Sequence, residues 1–498
     1  MPHNPNAPLR IAEVATPGIG VIGITFAPGK KDHSAYSGRH DRDLAADLDV
    51  IARWNAAAVV TLVTQTELRR LQISHIGTEV SKRFMEWHHL PIEDVSIPDI
   101  DFEADWPENS ARLQSLLRAG ANVLVHCKGG LGRAGMIAAR LLVEMGVEPD
   151  QAIRRIRAAR GEGAIETRDQ EDWVAQGEGM TCITPSQDRQ SIRDRALGAL
   201  IGLAVGDAVG TALEFKSKPS YPILTDMVGG GPFNLAPGQW TDDTAMAVAL
   251  GDWIINDPDL DPTELMSRFV AWHEDGEFSC TGDCFDIGNT TRGALDRFRR
   301  TGNPLAGSTE RFQAGNGALM RLSPVAIRFW SNRERLIDIT RLQTATTHGA
   351  NECLEASSNF AELLADVISG KPLTDALTSE VASRVKGGWR GGHRDDIRGT
   401  GYVVDSLNAA LWAVARTTNF RTAILLAANL GDDADTTAAI AGQLAGAAYG
   451  LSGIPNGWLQ RLAWRPRIAE LADRLFQGGC SPAIHKEGFS SVETSRSE

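Results

Sequence analysis

Two groups of residues in this 498-residue chain have types and spacings that can do chemistry. The first is VLVHCKGGLGRAG, where Cys127 and Arg133 stand six apart, after an apolar β-branched run and before a helical one. Gly129, Gly130 and Gly132 let backbone amides turn inward as a nest for an oxyanion, with the dipole of the following helix behind them. Amide donors and a guanidinium beside a sulfur favour the thiolate, and the planar fork of Arg133 can hold two phosphoryl oxygens at once. For a lone cysteine, a buried structural thiol is the ordinary reading. His126 in front and the glycine-rich loop behind shift the balance, so Lys128, Gly129, Gly130, Leu131, Gly132 and Arg133 form a candidate phosphate-binding loop.

The second group is acidic: GDAVGTALEF (206–215), WTDDTAMA (240–247), GDCFDIGNTTRGAL (282–295) and GDDADTTAAIAG (431–442). Helix capping is the simple explanation for Thr241-Asp242-Asp243 and for Asp433-x-Asp435-Thr436. Yet a cap needs one short polar side chain, and each of these sites spends two carboxylates plus a hydroxyl. Clustered carboxylates repel and raise one another's pKa unless a cation neutralises them. Hard oxygen ligands of this kind suit Mg²⁺, Mn²⁺ or Ca²⁺ rather than zinc.

The first group needs a scaffold of strands and helices, and the pattern supplies one. AAAVVTLVT (56–64) and ANVLVHC (121–127) read as buried strands, and LAADLDVIARWN, ENSARLQSLLRAG and GMIAARLLVEMG read as helices before, between and after them. That alternation predicts an α/β domain with a mainly parallel sheet over 1–175. A polar stretch punctuated by Gly, Pro and Ser predicts a linker over 176–193. Long Ala/Leu/Gly-rich runs then predict an all-α domain over 194–480, and the last residues, 481–498, read as a disordered tail. The 63 Asp and Glu against 50 Lys and Arg give a formal charge of -13, which disfavours nucleic acid and anionic membranes as partners. The only uncharged long stretch, 436–460, carries Gln443, Tyr449 and Asn456 and reads as a buried helix running into a loop rather than a membrane span. Six scattered cysteines form neither a disulfide framework nor a zinc motif, which fits a reducing, cytoplasmic setting.

The HCKGGLGR loop resembles the signature of cysteine-dependent tyrosine and dual-specificity phosphatases, of the kinase-associated type in particular. The resemblance spans most of 56–170 and includes VVTLVTQTEL, HHLPIEDVSIPDI and GAIETRDQ. It implies that Cys127 is the nucleophile, Arg133 the phosphate clamp and Asp94 the general acid, with Asp99 and Asp101 as rivals, and that Gln170 lies near the attacking water. The implied substrate is a phosphorylated protein or a small phosphoester. One position departs from the pattern: Ala134 stands where the family carries a Ser or Thr whose hydroxyl helps the thiolate leave, which leaves room for slow turnover or a phosphate-trapping role.

The acidic clusters, in their order, resemble the ADP-ribosylglycohydrolase family from about 195 to 475, with GNGALMR, THG and GTGYVVDSL between them. The resemblance implies an all-α domain with two divalent cations, Mg²⁺ or Mn²⁺, held by Thr241, Asp242, Asp243, Asp433, Asp435 and Thr436. Glu214 and Asp286 become the carboxylates that move protons or steer water, and Asn316, Gly317, His348 and Tyr402 line a cleft for an ADP-ribosylated substrate. Asp207 reads equally as a further acid or a helix cap, and His348 equally as a ligand or a core histidine. The expectation is a bifunctional hydrolase. Its alternatives are an O-acetyl-ADP-ribose hydrolase using the same cleft, and a reader that binds ADP-ribose and phosphate without turnover; the residues assign neither the acceptor nor an oligomeric state.

Overall fold

Short apolar runs rich in Val, Ile and Thr build the first domain. In the computed structural model, which describes residues 8–32, 40–177, 185–218 and 220–479, five strands form one sheet: β1 (Ala12–Ala15), β2 (Val21–Phe26), β3 (Ala56–Thr61), β4 (Glu86–His89) and β5 (Asn122–Cys127). Their order is β1-β2-β5-β3-β4, and only the β1–β2 pairing is antiparallel. The mainly parallel sheet is as expected. The sequence pattern predicts only β3 and β5, two of the three interior strands; β4, with the sequence EWHH, has no apolar run and owes its place to pairing with β3.

Parallel order sends the ends of β5, β3 and β4 to one edge, where open α/β sheets place their ligands. There β5 delivers Cys127 to the loop before helix α1 (Gly132–Glu144), β3 leads to Thr64 and Glu67, and β4 leads to Ile92 and Asp94.

The helical domain is organised around α2 (Arg189–Gly210), α3 (Asp242–Asn256) and α4 (Ala434–Tyr449). Asp188 caps α2 by accepting from Gln190 N and Ser191 N, so the helix starts five residues before 194, inside the stretch read as linker. By length and composition α2 could cross a membrane, but from Arg195 onward it is buried and is the core helix of this domain. The uncharged 436–460 stretch is α4 followed by a turn and the short helix Asn456–Arg461. The tail at 481–498 lies outside the described residues, as do Cys182 and Cys480; Cys127, Cys280, Cys284 and Cys353 are free thiols.

Glycines at every fourth position of α2 face the small residues of α4. A Cβ added at Gly442 would lie 2.1 Å from Gly202 O, one at Gly446 1.9 Å from Gly198 O, and one at Gly206 2.1 Å from Ala438 O. The two backbones touch, and the alignment fixes the end of α2 against the start of α4.

The two domains meet at the N-terminal ends of the strands. Arg416 donates to Asn55 Oδ1 at 2.7 Å and Ala56 O at 3.0 Å, Asn55 donates back to Gly391 O at 2.9 Å, and Thr418 donates to Glu86 Oε1 at 2.9 Å.

Alanine at a helix-interior glycine normally stabilises by about 1 kcal/mol. The backbone contact reverses that sign: Gly442→Ala is expected to destabilise the helical domain by about 2 kcal/mol or more, read as a lower denaturation midpoint in urea at unchanged slope.

Candidate active sites

At the end of β5 the chain turns through Gly130, whose φ of +71° only glycine adopts freely. A Cβ there would meet Thr25 O at 2.4 Å. Gly130 N donates to Cys127 Sγ at 3.1 Å. Arg160 takes the loop carbonyls, donating to Gly130 O at 2.7 Å and Gly129 O at 3.1 Å, which turns the amides toward the sulfur. His126 bonds Thr61 Oγ1 at 2.8 Å, and Trp87 donates to the same hydroxyl. Burial, opposed by a bond to the Cys127 carbonyl, pushes the imidazole down to about 4. His126 is therefore a neutral brace beneath the loop.

Arg133 is buried and held in a fork. It donates to Glu67 Oε2 at 2.7 Å and Oε1 at 2.9 Å, to Ile92 O at 2.8 Å and to Asp94 Oδ1 at 2.7 Å. Burial opposes ionisation of Glu67, and the bonds from Arg133 and from Thr64 N outweigh it, so its pKa lies below the usual carboxylate value. Of the three acids weighed for proton donation, Asp94 alone meets Arg133. Asp99 caps the helix Ile100–Arg118 by accepting from Phe102 N at 2.9 Å, and Asp101 lies exposed in its first turn. Gln170, fully buried, accepts from Glu166 N and donates to Ser96 O, linking two loops of the site. Ala134 is fully buried at the start of α1. Lys128 is half-exposed, 3.7 Å from Asp32.

Three residues at this site escaped the sequence reading. Glu67 carried a signal, since Thr64 and Glu67 are spaced as a capping box and form one. Glu166, whose side chain lies over Gly132, and Arg160 come from elements distant in sequence. Burial and the nearby Asp94 raise the pKa of Glu166.

The second site is a cleft of about 720 Å³ in the helical domain. Thr241 and Asp243 sit behind its floor while Asp242, Asp433, Asp435 and Thr436 line it, brought together by the starts of α3 and α4. Capping of α3 falls to Asp207 of α2, which accepts from Thr241 N at 2.9 Å, Thr244 N at 3.0 Å and both hydroxyls. Asp207 thus takes both roles weighed for it, because it also clusters with Asp243 and Asp435, their oxygens within 4.8 Å of one another. A second cluster, Glu214, Asp286 and Asp435, shares Asp435 with the first.

These acids fit a cation. Asp243 Oδ1 and Asp435 Oδ2 are buried with no hydrogen-bond partner, while Thr436 Oγ1 and Thr241 Oγ1 both turn to Asp243 Oδ2, at 3.2 and 3.3 Å. Burial first, then neighbouring carboxylates, raises Asp207 and Asp433 to about 7 and Asp286 to about 11, and lifts Asp242, Asp243 and Glu214 well above the ordinary range. Asp286 also holds a φ of +61°, strain of the kind that collects at functional sites.

Glu214 Oε2 accepts from Ala434 N at 2.8 Å and Asp435 N at 3.3 Å, tying the end of α2 to the start of α4. Asn316 donates to Asp433 Oδ2 at 2.8 Å and to Ser406 Oγ. His348 packs its ring against Gly317 in the cleft wall, and burial, then Arg321, pushes it down to about 3. One expected residue is displaced: Tyr402 bridges Gly315 through its backbone, and Thr400 and Gly401 line the cleft in its place.

A model of the ADP-ribosylglycohydrolase family matches residues 188–483, more than half of the chain. The chain belongs to that family. A model described as the dual-specificity phosphatase domain of Swiss Army Knife proteins matches residues 40–174. The ADP-ribosylarginine hydrolase Tri1 of Serratia proteamaculans is 44% identical over 302 residues, 59% of this chain and 81% of the relative. Cyclin-dependent kinase inhibitor 3 of Sus scrofa is 32% identical over 155 residues, 31% of this chain and 69% of that relative. A solved ADP-ribosylglycohydrolase-related protein complex aligns with a TM-score of 0.50 at 39% identity, covering 58% of this chain and 99% of its own. The protein thus joins a phosphatase-family α/β domain to a helical ADP-ribosylglycohydrolase domain.

The raised acids set a pH dependence. Asp207 and Asp433 bind protons more tightly in the folded protein than in the unfolded chain, where the ordinary value is 3.8. Their contribution to stability is complete below about pH 4 and is lost as the pH rises through about 7. In chelator the helical domain should therefore melt lower at about pH 8 than at about pH 5, and Mg²⁺ should raise the melting temperature more at the higher pH. His126 and His348, whose pKa values are lowered, act in the opposite sense; the larger shifts of the acids outweigh them between the two pH values, and they cancel between samples with and without Mg²⁺. Calorimetry with and without Mg²⁺ across this range checks it; a metal effect independent of pH contradicts it.

Proposed function

We propose that the helical domain releases ADP-ribose from an arginine side chain in a metal-dependent reaction, and that the α/β domain hydrolyses a phosphomonoester through a cysteinyl-phosphate. The observation that carries the first reading is the pair of carboxylate clusters meeting at Asp435, with buried oxygens left unpaired. Thr241, Asp242, Asp243, Asp433, Asp435 and Thr436 would hold two divalent cations, Mg²⁺ or Mn²⁺, which supply charge neutralisation and a more acidic bound water. Breaking the C1′ bond passes through an oxocarbenium-like state, which calls for a nearby carboxylate and a proton for the leaving group. Glu214 Oε2 is occupied by the amides of Ala434 and Asp435, so proton exchange falls to Oε1. Asp286 stands across the cluster as the second proton-holding carboxyl. The acidic cleft suits a cationic guanidinium as the leaving side, and the 44% identical relative is named for ADP-ribosylarginine.

Wild-type protein with Mg²⁺ or Mn²⁺ is expected to release ADP-ribose from an ADP-ribosylated arginine peptide. Asp242→Ala and Asp435→Ala should each abolish release, followed by mass spectrometry; full activity in excess chelator would falsify the metal assignment.

In the α/β domain, Cys127 is placed to attack phosphorus while the loop amides and Arg133 carry the phosphoryl oxygens. Asp94, at Arg133, is the group placed to give the leaving oxygen a proton. The buried Ala134 offers no hydroxyl to the returning thiolate, which makes breakdown of the cysteinyl-phosphate the slow step. Hydrolysis of an aryl phosphate should be vanadate-sensitive, vanish in Cys127→Ser and fall about 100-fold in Asp94→Asn, while Asp99→Ala loses about 1 kcal/mol of stability with its helix cap and leaves the rate unchanged. Equal rates for Cys127→Ser and wild type would refute the nucleophile.

A further inference from the structure

We infer that the seam between the two domains is a binding site for a small phosphate-bearing metabolite, separate from both clefts. A cavity of about 350 Å³ opens there, a volume at the lower end of small-ligand pockets. Arg53, Lys82 and Arg83 reach it from the α/β domain, Arg394 and Arg416 from the helical domain, and only two carboxylates, Asp49 and Asp395, face the same space. That excess of cations stands in a chain whose formal charge is -13.

Two of the five cations are neutralised: Arg83 pairs with Asp49 and Glu79, and Lys82 with Glu79. The other three form no close ion pair among the described residues, and Asp395 is the one carboxylate that acts on Arg394, from a greater distance. Arg416 donates only to oxygens of Asn55 and Ala56, with its guanidinium 5.2 Å from the Trp412 ring centre. Arg394 donates to Asn429 O, lies 5.4 Å from the Phe84 ring centre, and keeps a buried Nε without a partner. Arg53 is exposed and makes no hydrogen bond or ion pair with any described group.

Neutral oxygens fix where a guanidinium sits but leave its charge uncompensated, which is costly in a partly dry space. Phosphate supplies that charge and fits the guanidinium fork. Ala52, Ile223 and Leu426 in the same wall give an apolar surface for a ring or sugar attached to it.

The position is distinct from the phosphatase loop. Asn55 and Phe84 precede β3 and β4, so a strand length of about 20 Å separates the seam from Cys127. Two chain segments leave it for the two sites. From Phe84 the chain runs through β4 to Ile92 and Asp94, both bonded to Arg133. From Arg394 it runs to Gly399 and Gly401, whose carbonyls accept from Asp433 N and Asn316 N. An occupant of the seam thus touches the roots of both catalytic loops.

The test is hydrogen–deuterium exchange on the full chain with inorganic phosphate, pyrophosphate or AMP, each against sodium chloride of equal ionic strength. At least one probe should protect residues 52–56, 82–85 and 390–397. Protection by phosphate alone identifies the anion as sufficient, and protection by AMP only identifies the attached nucleoside as required. Arg53→Glu should weaken the apparent affinity about tenfold without changing the melting temperature of the unliganded protein; Arg394→Gln gives a second, independent reading. Equal protection by chloride, protection confined to 127–133 or to 431–436, or unchanged affinity in Arg53→Glu would overturn the site.

Discussion

Everything in the helical domain's cleft depends on two backbones touching. The glycines of α2 and the small residues of α4 leave no side chain between the helices, so the pair has one register and little freedom to slide. That register brings Glu214, just past the end of α2, to the amides of Ala434 and Asp435 at the start of α4. It also places Asp207 where it can cap α3 and so draw Thr241, Asp242 and Asp243 into the same group. Seven acids from separate stretches of chain are held close against their own repulsion by packing that a single methyl group would disturb. The acids oppose the fold and the α2–α4 contact enforces it, a division of labour expected where function costs stability.

The α/β domain meets its own version of this problem with hydrogen bonds. Arg133 could not stay buried as a lone cation, and Glu67, Ile92 and Asp94 give its fork four acceptors. Those partners come from the ends of β3 and β4, so the parallel sheet is what makes the clamp rigid before any phosphate arrives. Preorganisation of this kind spares the site the cost of ordering an arginine at the moment of binding.

The chemistry was legible wherever it lay contiguous in sequence. HCKGGLGR, WTDDTAMA and GDDADTTAAIAG each carry their residues within a few positions, so spacing pointed to an oxyanion nest and a cation site, and the family resemblance supplied the individual roles. Glu67, Glu166 and Arg160 reach the phosphate loop only through the fold, and of these only Glu67 left a local trace, as a helix cap. Asp207 showed why local reading stops short: one carboxylate serves as cap and as cluster member because its helix packs beside another. Tyr402 was drawn to the cleft by its place in a motif, whereas the backbone turn at Thr400 and Gly401 is what lines it. The edge strands β1 and β4 were missed for a related reason, since strands of four residues at a sheet edge take their stability from a neighbour and not from periodicity; the six-residue β2, paired on both sides, did carry an apolar run and was overlooked.

The polarity of the sheet has a consequence for how the two domains can share work. The helical domain grips the N-terminal ends of β3 and β4 through Asn55, Ala56 and Glu86, while the phosphate loop opens at the opposite edge. The contact between the domains therefore engages the sheet at the edge away from Cys127, and the fusion guarantees equal copy number of the two domains.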